Sequence, residues 1–383
     1  MSLDRRSFIG ATSLLGVPRL LFANAASERR FVFIIQRGAA DGLDTVIPYA
    51  EPGYARSRGA LAIQSASALK LDGTFALHPT LANLHALYGG GQASFFHAVA
   101  SPYRDRSHFD GQNVLETGGH APYQLKDGWL NRLLGLLPQG GKPALAFTPS
   151  VPLALRGAVE VTSYAPSALP QADEDLMLRL EQLYAGDAQL HALWSAAVET
   201  RGMAGGGRRA GEGRQDAPAL GRMAAGFLAR ADGPRVLMVE TNGWDTHSGQ
   251  PARLAAQLRG LDGLIGGLRD GLGAVWSNTV VLVATEFGRT VRANGTGGTD
   301  HGTGAVAMLV GGAVDGGRVV ADWPGLAPAN LLEGRDLRPT LSLTTLIAAA
   351  CAESFDLDPV QVANAVFPQG VQGPAMVARL LRA

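Results

Sequence analysis

The stretch TEFGRTVRANGTGGTDHGTG, Thr285 to Gly304, separates two apolar runs, Thr279 to Ala284 and Ala305 to Val310. Both runs are continuously apolar over most of their length, without the alternation of a half-exposed strand, and so suit strands buried on both faces. Three more runs look alike: Phe31 to Ile35, Ala93 to Val99 and Arg235 to Val239. Between them lie segments with helical character, Thr80–Tyr88, Gln112–Thr117, Gly128–Leu137, Asp173–Glu199, Ala217–Ala231, Gln250–Trp276 and Thr340–Cys351. Strands alternating with helices predict an α/β fold, a mostly parallel central sheet flanked by helices on both faces. In that setting a polar loop such as Thr285 to Gly304 falls at a sheet edge, where such folds bind ligands.

The chain has 383 residues, 46% of them hydrophobic and 17% charged, enough to bury a sizeable core. Lys+Arg and Asp+Glu both number 33, so no global field recruits nucleic acid or an anionic membrane. The N-terminus carries Arg5-Arg6-Ser7-Phe8-Ile9, short apolar runs broken by Pro18-Arg19, and Ala23-Asn24-Ala25. This is the pattern of a twin-arginine export signal over residues 1–25, read by the twin-arginine translocase and leaving a periplasmic or extracellular product. The apolar runs are too short to predict a stable membrane span. Taking three Arg and one Asp from 33 of each leaves 30 basic against 32 acidic residues in the mature chain. Cys351 is the only cysteine, so no intrachain disulfide forms, and its apolar context predicts a buried thiol. Residues 201–216, rich in Gly and Arg, read as a flexible loop.

The predicted strand ends carry the polar groups. Arg37, Asp41 and Asp44 follow the first, Arg104, Arg106, Ser107 and His108 the second, Asp245 and His247 the third, and Glu286 and Arg289 the fourth. Asp245 and His247 are two residues apart, so in extended chain both can face one ion, whereas in a helix start His247 is simply exposed. Asp300-His301 sits among Gly297, Gly298, Gly302 and Gly304, which allow close backbone approach with or without a ligand. Ser107 beside two arginines suits either an anion at a helix N-terminus or a plain N-cap. His108 reads as a ligand or a general acid, and Glu286 as a cap or a partner of Arg289. Zinc-protease, lipase-type serine and P-loop motifs are absent.

Five stretches carry a resemblance: RGAADGL from Arg37, RSHF from Arg106, GWDTH from Gly243, TEFGRT from Thr285 and DHG from Asp300. Over nearly the whole mature chain, 26–383, they resemble the twin-arginine-exported family known as domain of unknown function 1501. That family is similar to the alkaline phosphatase and sulfatase superfamily. The resemblance implies a single alkaline-phosphatase-like domain and a metal-dependent hydrolase of phosphate or sulfate esters, small or polymeric. It implies a divalent metal (Zn, Mn or Ca) held by Asp245, His247 and His301, with Glu286 and Asp41 at further ligand positions. Ser107 takes the nucleophile's place with His108 beside it. On this reading Arg37, Arg106 or Arg289 would hold the anion, and Asp300 would orient His301. The chain departs from the superfamily in two places: Arg37 stands near where the first strand usually ends in Asp, and Phe287 stands where a ligating His is usual. These departures leave a second implied reading, a non-catalytic exported protein using the same fold for surface assembly or polysaccharide binding.

Overall fold

A computed structural model describes residues 28–138, 143–166, 174–203, 216–371 and 379–382. The expected export signal over residues 1–25 and most of the Gly/Arg-rich stretch, 204–215, lie outside the described residues. The strands in chain order are β1 (Arg30–Arg37), β2 (Val46–Ile47), β3 (Leu69–Lys70), β4 (Ala76–Leu77), β5 (Ala93–Ala100) and β6 (Ala144–Phe147). They continue with β7 (Thr162–Ser163), β8 (Val236–Asn242), β9 (Thr279–Thr285), β10 (Ala305–Val310), β11 (Arg318–Val320) and β12 (Leu341–Ser342). Nine of them form one sheet in the order β7-β6-β8-β1-β9-β10-β5-β11, with β12 also on β5. Neighbours run parallel except at β10, which is antiparallel to both β5 and β9.

Side-chain alternation along β1 divides the core. Phe31, Phe33 and Ile35 face the helices Trp129–Leu134 and Leu343–Phe355, whereas Val32 and Ile34 face Ala217–Leu228 and Gln250–Leu272. All five are fully buried, each contributing about 1.5–3 kcal/mol by leaving water. Helices therefore cover both faces, as the continuous apolar runs require. Cys351 is buried and free, and its thiol is pushed well above the usual range by desolvation.

Element bounds differ from the sequence reading for local reasons. The expected Asp173–Glu199 helix is two, Glu174–Tyr184 and Ala188–Met203, because Asp187 accepts from the N–H groups of Gln189 and Leu190 and starts a new helix. Gln250–Leu272 stops where Gly273 takes φ +53°, and a 3-10 turn follows. The helix expected from Gln112 starts four residues earlier, at His108. Strand β6 is a four-residue run, ALAF, too short to stand out by periodicity. Among the described residues no helix is long and apolar enough to cross a membrane.

The reversed strand explains the opening stretch. Because β10 runs back along β9, both ends of the Thr285–Gly304 loop lie at the carboxyl edge of the parallel strands. There it meets the ends of β1 and β8, paired as Arg37 with Asn242 and Gln36 with Thr285. The loop packs backbone on backbone: a Cβ on Gly298 would lie 2.3 Å from the Thr246 carbonyl oxygen. Gly295, by contrast, has open space around it. Gly298→Ala is therefore expected to destabilise the protein by about 1–3 kcal/mol, with Gly295→Ala within about 0.5 kcal/mol of the parent, read by urea denaturation.

His97, fully buried in β5, yields a pH dependence. Its Nε2 lies 2.9 Å from the Val46 carbonyl and its Nδ1 accepts the Ala98 N–H at 2.8 Å, so the ring is a neutral Nε2–H tautomer. Desolvation lowers its pKa to about 4. The unfolded chain takes up a proton near pH 6.5 that the folded chain refuses until about pH 4. This contribution to stability is complete above about pH 6.5 and declines as pH falls, by at most about 3 kcal/mol. Denaturant titrations across that window should show a shallower pH slope for His97→Gln than for the parent; equal slopes would refute the assignment.

Candidate metal centre

Three imidazoles and a carboxylate meet at the carboxyl edge, delivered by three pieces of chain. His108 opens the helix His108–Thr117 after β5, Asp245 and His247 follow β8, and His301 lies on the way into β10. His108 Nε2 is 3.5 Å from Asp245 Oδ2, and His301 Nε2 is 3.4 Å from Asp245 Oδ1. His247 Nε2 stands 3.0 Å from both Asp245 Oδ1 and His301 Nε2. The donor atoms of His108, Asp245 and His301 lie within 4.8 Å of one another. Phe287 forms the floor, stacked on His108 at 5.1 Å between ring centroids and tilted against His301 at 5.3 Å.

The partners on the far side of each ring decide its tautomer. His108 Nδ1 lies 2.8 Å from Glu286 Oε1, His247 Nδ1 3.1 Å from Asp300 Oδ1, and His301 Nδ1 2.9 Å from the Arg106 carbonyl. All three partners are acceptors, which favours the proton on each Nδ1; a neutral ring protonated there turns a bare Nε2 inward. In that form the Nε2 atoms of His247 and His301, 3.0 Å apart, face each other without a donor. The His108 Nε2 is buried with no hydrogen-bond partner. An arrangement of lone pairs with no donor between them is unfavourable until a proton or a cation arrives. It is the outer-sphere pattern that orients histidine ligands around a metal.

Glu286 holds the His108 pKa above its ordinary value by its hydrogen bond and charge, against the opposing effect of burial. Burial pushes Asp245 up, yet the Arg289 hydrogen bond and charge bring it below the usual carboxylate range. His301 is lowered by desolvation and by the neighbouring His108.

The remaining expected site residues are placed differently. Asp300 orients His247 and not His301: the two are adjacent in chain bridged to Arg289, and neighbours in extended chain face opposite sides. His301 is oriented by the Arg106 carbonyl, at a residue held at φ +61°. Glu286 stands one layer behind His108 with both oxygens engaged, by Gly38 N, His108 and Gln112 on one and Thr285 Oγ1 on the other. Asp41 is fully buried, caps the short helix Gly42–Thr45 and pairs with Arg58 and Gln250, so it does not face the cluster.

The three arginines expected to grip an anion each hold carboxylates. Arg37 bonds Glu116 at 2.8 Å and Glu240 at 2.5 Å, and Arg106 bonds Glu333 at 2.7 Å and Asp336 at 2.9 Å. Arg289 bonds Asp245 at 2.6 Å and also the hydroxyl and carbonyl oxygens of Thr299. Ser107 is the N-cap residue of the His108 helix but makes no capping bond with its side chain; its N–H donates to the Tyr103 hydroxyl. No hydrogen bond among the described residues joins the Ser107 hydroxyl to an imidazole. Gln112, Gln250, Thr299 and Asp336, which tie these parts together, went unnoticed in the sequence. Gln112 alone left a signal, sitting one helical turn after His108.

The sequence profile of the family described as "Protein of unknown function (DUF1501)" matches residues 28–367. No curated protein matches the chain. Among solved structures, Ps i-CgsB in complex with k-i-k-neocarrahexaose aligns over 86% of this chain and 72% of its own, at 14% identity and TM-score 0.40. The C-terminal periplasmic domain of EcEptC from Escherichia coli, in complex with Zn, aligns over 75% and 74%, at 9% identity and TM-score 0.37. PsFucS1 sulfatase from Pseudoalteromonas sp. aligns over 76% and 64%, at 13% identity and TM-score 0.34. These are loose likenesses of chain course and transfer no residue roles. The family match spans most of the chain, and the protein belongs to DUF1501, a family of unknown function.

Proposed function

We propose that this chain is an exported, metal-dependent hydrolase of phosphate or sulfate esters. The observation that carries the reading is the convergence of three bare Nε2 atoms on the Asp245 carboxylate, each fixed by an acceptor at its own Nδ1. His108, His247, His301 and Asp245 would hold one divalent ion. Three nitrogen donors suit Zn or Mn better than Ca, which prefers oxygen. A bound divalent ion supplies Lewis acidity, polarising an ester oxygen and lowering the pKa of a water or hydroxyl.

The chain's own residues do the rest. Glu286, Asp300 and the Arg106 carbonyl orient the rings. Arg289 keeps Asp245 ionised and places a buried positive charge behind it, and the substrate of the proposal is an anionic ester, small or polymeric. Phe287 closes the floor against water. Ser107, at the N-terminus of a ten-residue helix, stands where free backbone N–H groups favour an anion, and it is the nucleophile of this proposal, a water being the alternative. Export through the twin-arginine translocase to the periplasm or beyond belongs to the same proposal and rests on Arg5-Arg6 and the small residues before Ala25.

One observation favours a second reading, a non-catalytic exported protein that uses the same fold for surface assembly or polysaccharide binding: Arg37, Arg106 and Arg289 are all committed to carboxylates. Metal analysis and an ester screen separate the two. The purified protein is expected to hold about one divalent ion per chain. Asp245→Ala and His108→Ala should each weaken metal binding by more than about tenfold and abolish aryl-phosphate or aryl-sulfate hydrolysis. Ser107→Ala should abolish hydrolysis with the metal retained. Metal affinity should fall as pH drops, since Glu286 favours a proton on His108 and that proton competes with the ion. Protein that binds Zn or Mn yet leaves both esters intact supports the non-catalytic reading; protein that binds neither ion ends the metal proposal.

A further inference from the structure

We propose that Gln112 is a positioning residue that acts through Glu286 on His108, with Arg37 as the clamp that sets its orientation. The consequence for metal affinity rests on the reading above; the consequence for the His108 tautomer does not.

His108, Gln112 and Glu116 recur every four residues and lie along one face of their helix, which Arg37 meets from the end of β1. An amide side chain has one accepting and one donating end, whereas a guanidinium only donates. Arg37 Nη1 lies 2.9 Å from Gln112 Oε1, which turns the Gln112 amide nitrogen to Glu286 Oε1 at 3.1 Å. The flipped amide would set N–H against N–H at Arg37 and oxygen against oxygen at Glu286, so chemistry allows one orientation.

Arg37 cannot swing away. Its Nη1 also donates to Glu116 Oε1 at 2.8 Å and its Nη2 to Glu240 Oε1 at 2.5 Å, while Glu116 is itself held by the Ala154 N–H at 3.1 Å. At the other end of the chain of bonds, Glu286 Oε1 receives Gly38 N, Gln112 and His108 Nδ1. A buried carboxylate that gathers this many donors stays ionised and remains an acceptor toward His108. The series Glu240–Arg37–Gln112–Glu286–His108 thereby selects the Nδ1–H form and leaves Nε2 bare. Arg37, expected from the sequence to hold a substrate anion, is instead an internal cation of this series.

Gln112→Met tests the assignment, since it keeps the side-chain length and removes both hydrogen bonds. In metal-free protein labelled with 15N-histidine, in mildly alkaline buffer, the native His108 should show the Nδ1–H tautomer with a proton slow to exchange, identified by its loss in His108→Gln. Gln112→Met should move His108 toward a mixture of tautomers and speed that exchange, with the other histidines and the circular dichroism spectrum unchanged. Arg37→Lys keeps the charge but loses the fork, and should change His108 in the same direction. A native tautomer and native exchange in both variants would overturn the proposal. A second arm uses Co2+ alone as the probe. Gln112→Met should weaken its binding about tenfold and alter its visible spectrum, but should add nothing in a His108→Ala background. An equal effect in both backgrounds also overturns the proposal, and a native protein that binds no Co2+ defeats the metal reading while the tautomer result still decides this one.

Discussion

Arg289 carries its charge with essentially no solvent contact, and the carboxyl edge of the sheet is arranged around that fact. A buried guanidinium is costly unless its donors are satisfied and a carboxylate answers its charge. Asp245 supplies the carboxylate and Thr299 both its hydroxyl and its carbonyl, so one side chain ties the loop after β8 to the loop between β9 and β10. Behind it a second buried set, Asp41 and Asp44 around Arg58 and Gln250, reaches the same place through Thr299, whose hydroxyl lies 2.7 Å from Gln250 Oε1. The histidines thus stand on a base whose parts are all held by charge-assisted bonds. Imidazoles held this close to one another need such a base, because neutral rings with their protons on Nδ1 do not attract each other at Nε2.

The pairing of the arginines changes how the site is understood. Three guanidinium groups near a candidate metal centre suggest an anion clamp, yet each is neutralised by a carboxylate and works on its surroundings. Arg106 is the clearest case: bonds to Glu333 and Asp336 hold its side chain, and its carbonyl then aims at His301 from a left-handed backbone conformation that an ordinary side chain rarely adopts. Phe287, in the place of an expected ligand, is equally informative. It contributes no donor atom, and it presses two of the imidazoles into position by ring contact.

Much of the fold was legible because burial on both faces leaves a local mark. Five strands announce themselves as apolar runs, and the polar residues just past them fall at the carboxyl edge, where Asp245, His247 and His301 do come together. His108 was legible as a ligand or a general acid, and the sequence left the choice between them open. The short strand β6 and the split near Asp187 were not legible, since four residues carry no period and a cap inside an apolar pattern is a one-residue signal.

From the sequence alone followed the layered α/β architecture, the edge at which polar residues gather, and a set of candidates that includes the four groups that meet there. The tertiary structure decided what those groups face. Asp300 turns to His247 although His301 is its neighbour, Glu286 backs His108 across 178 positions, and Arg106 answers to Asp336 across 230. The reason is physical: apolar periodicity is written along the chain, whereas tautomer and charge are set by partners distant in sequence. Those partners are known only once the strands have brought their ends to one edge.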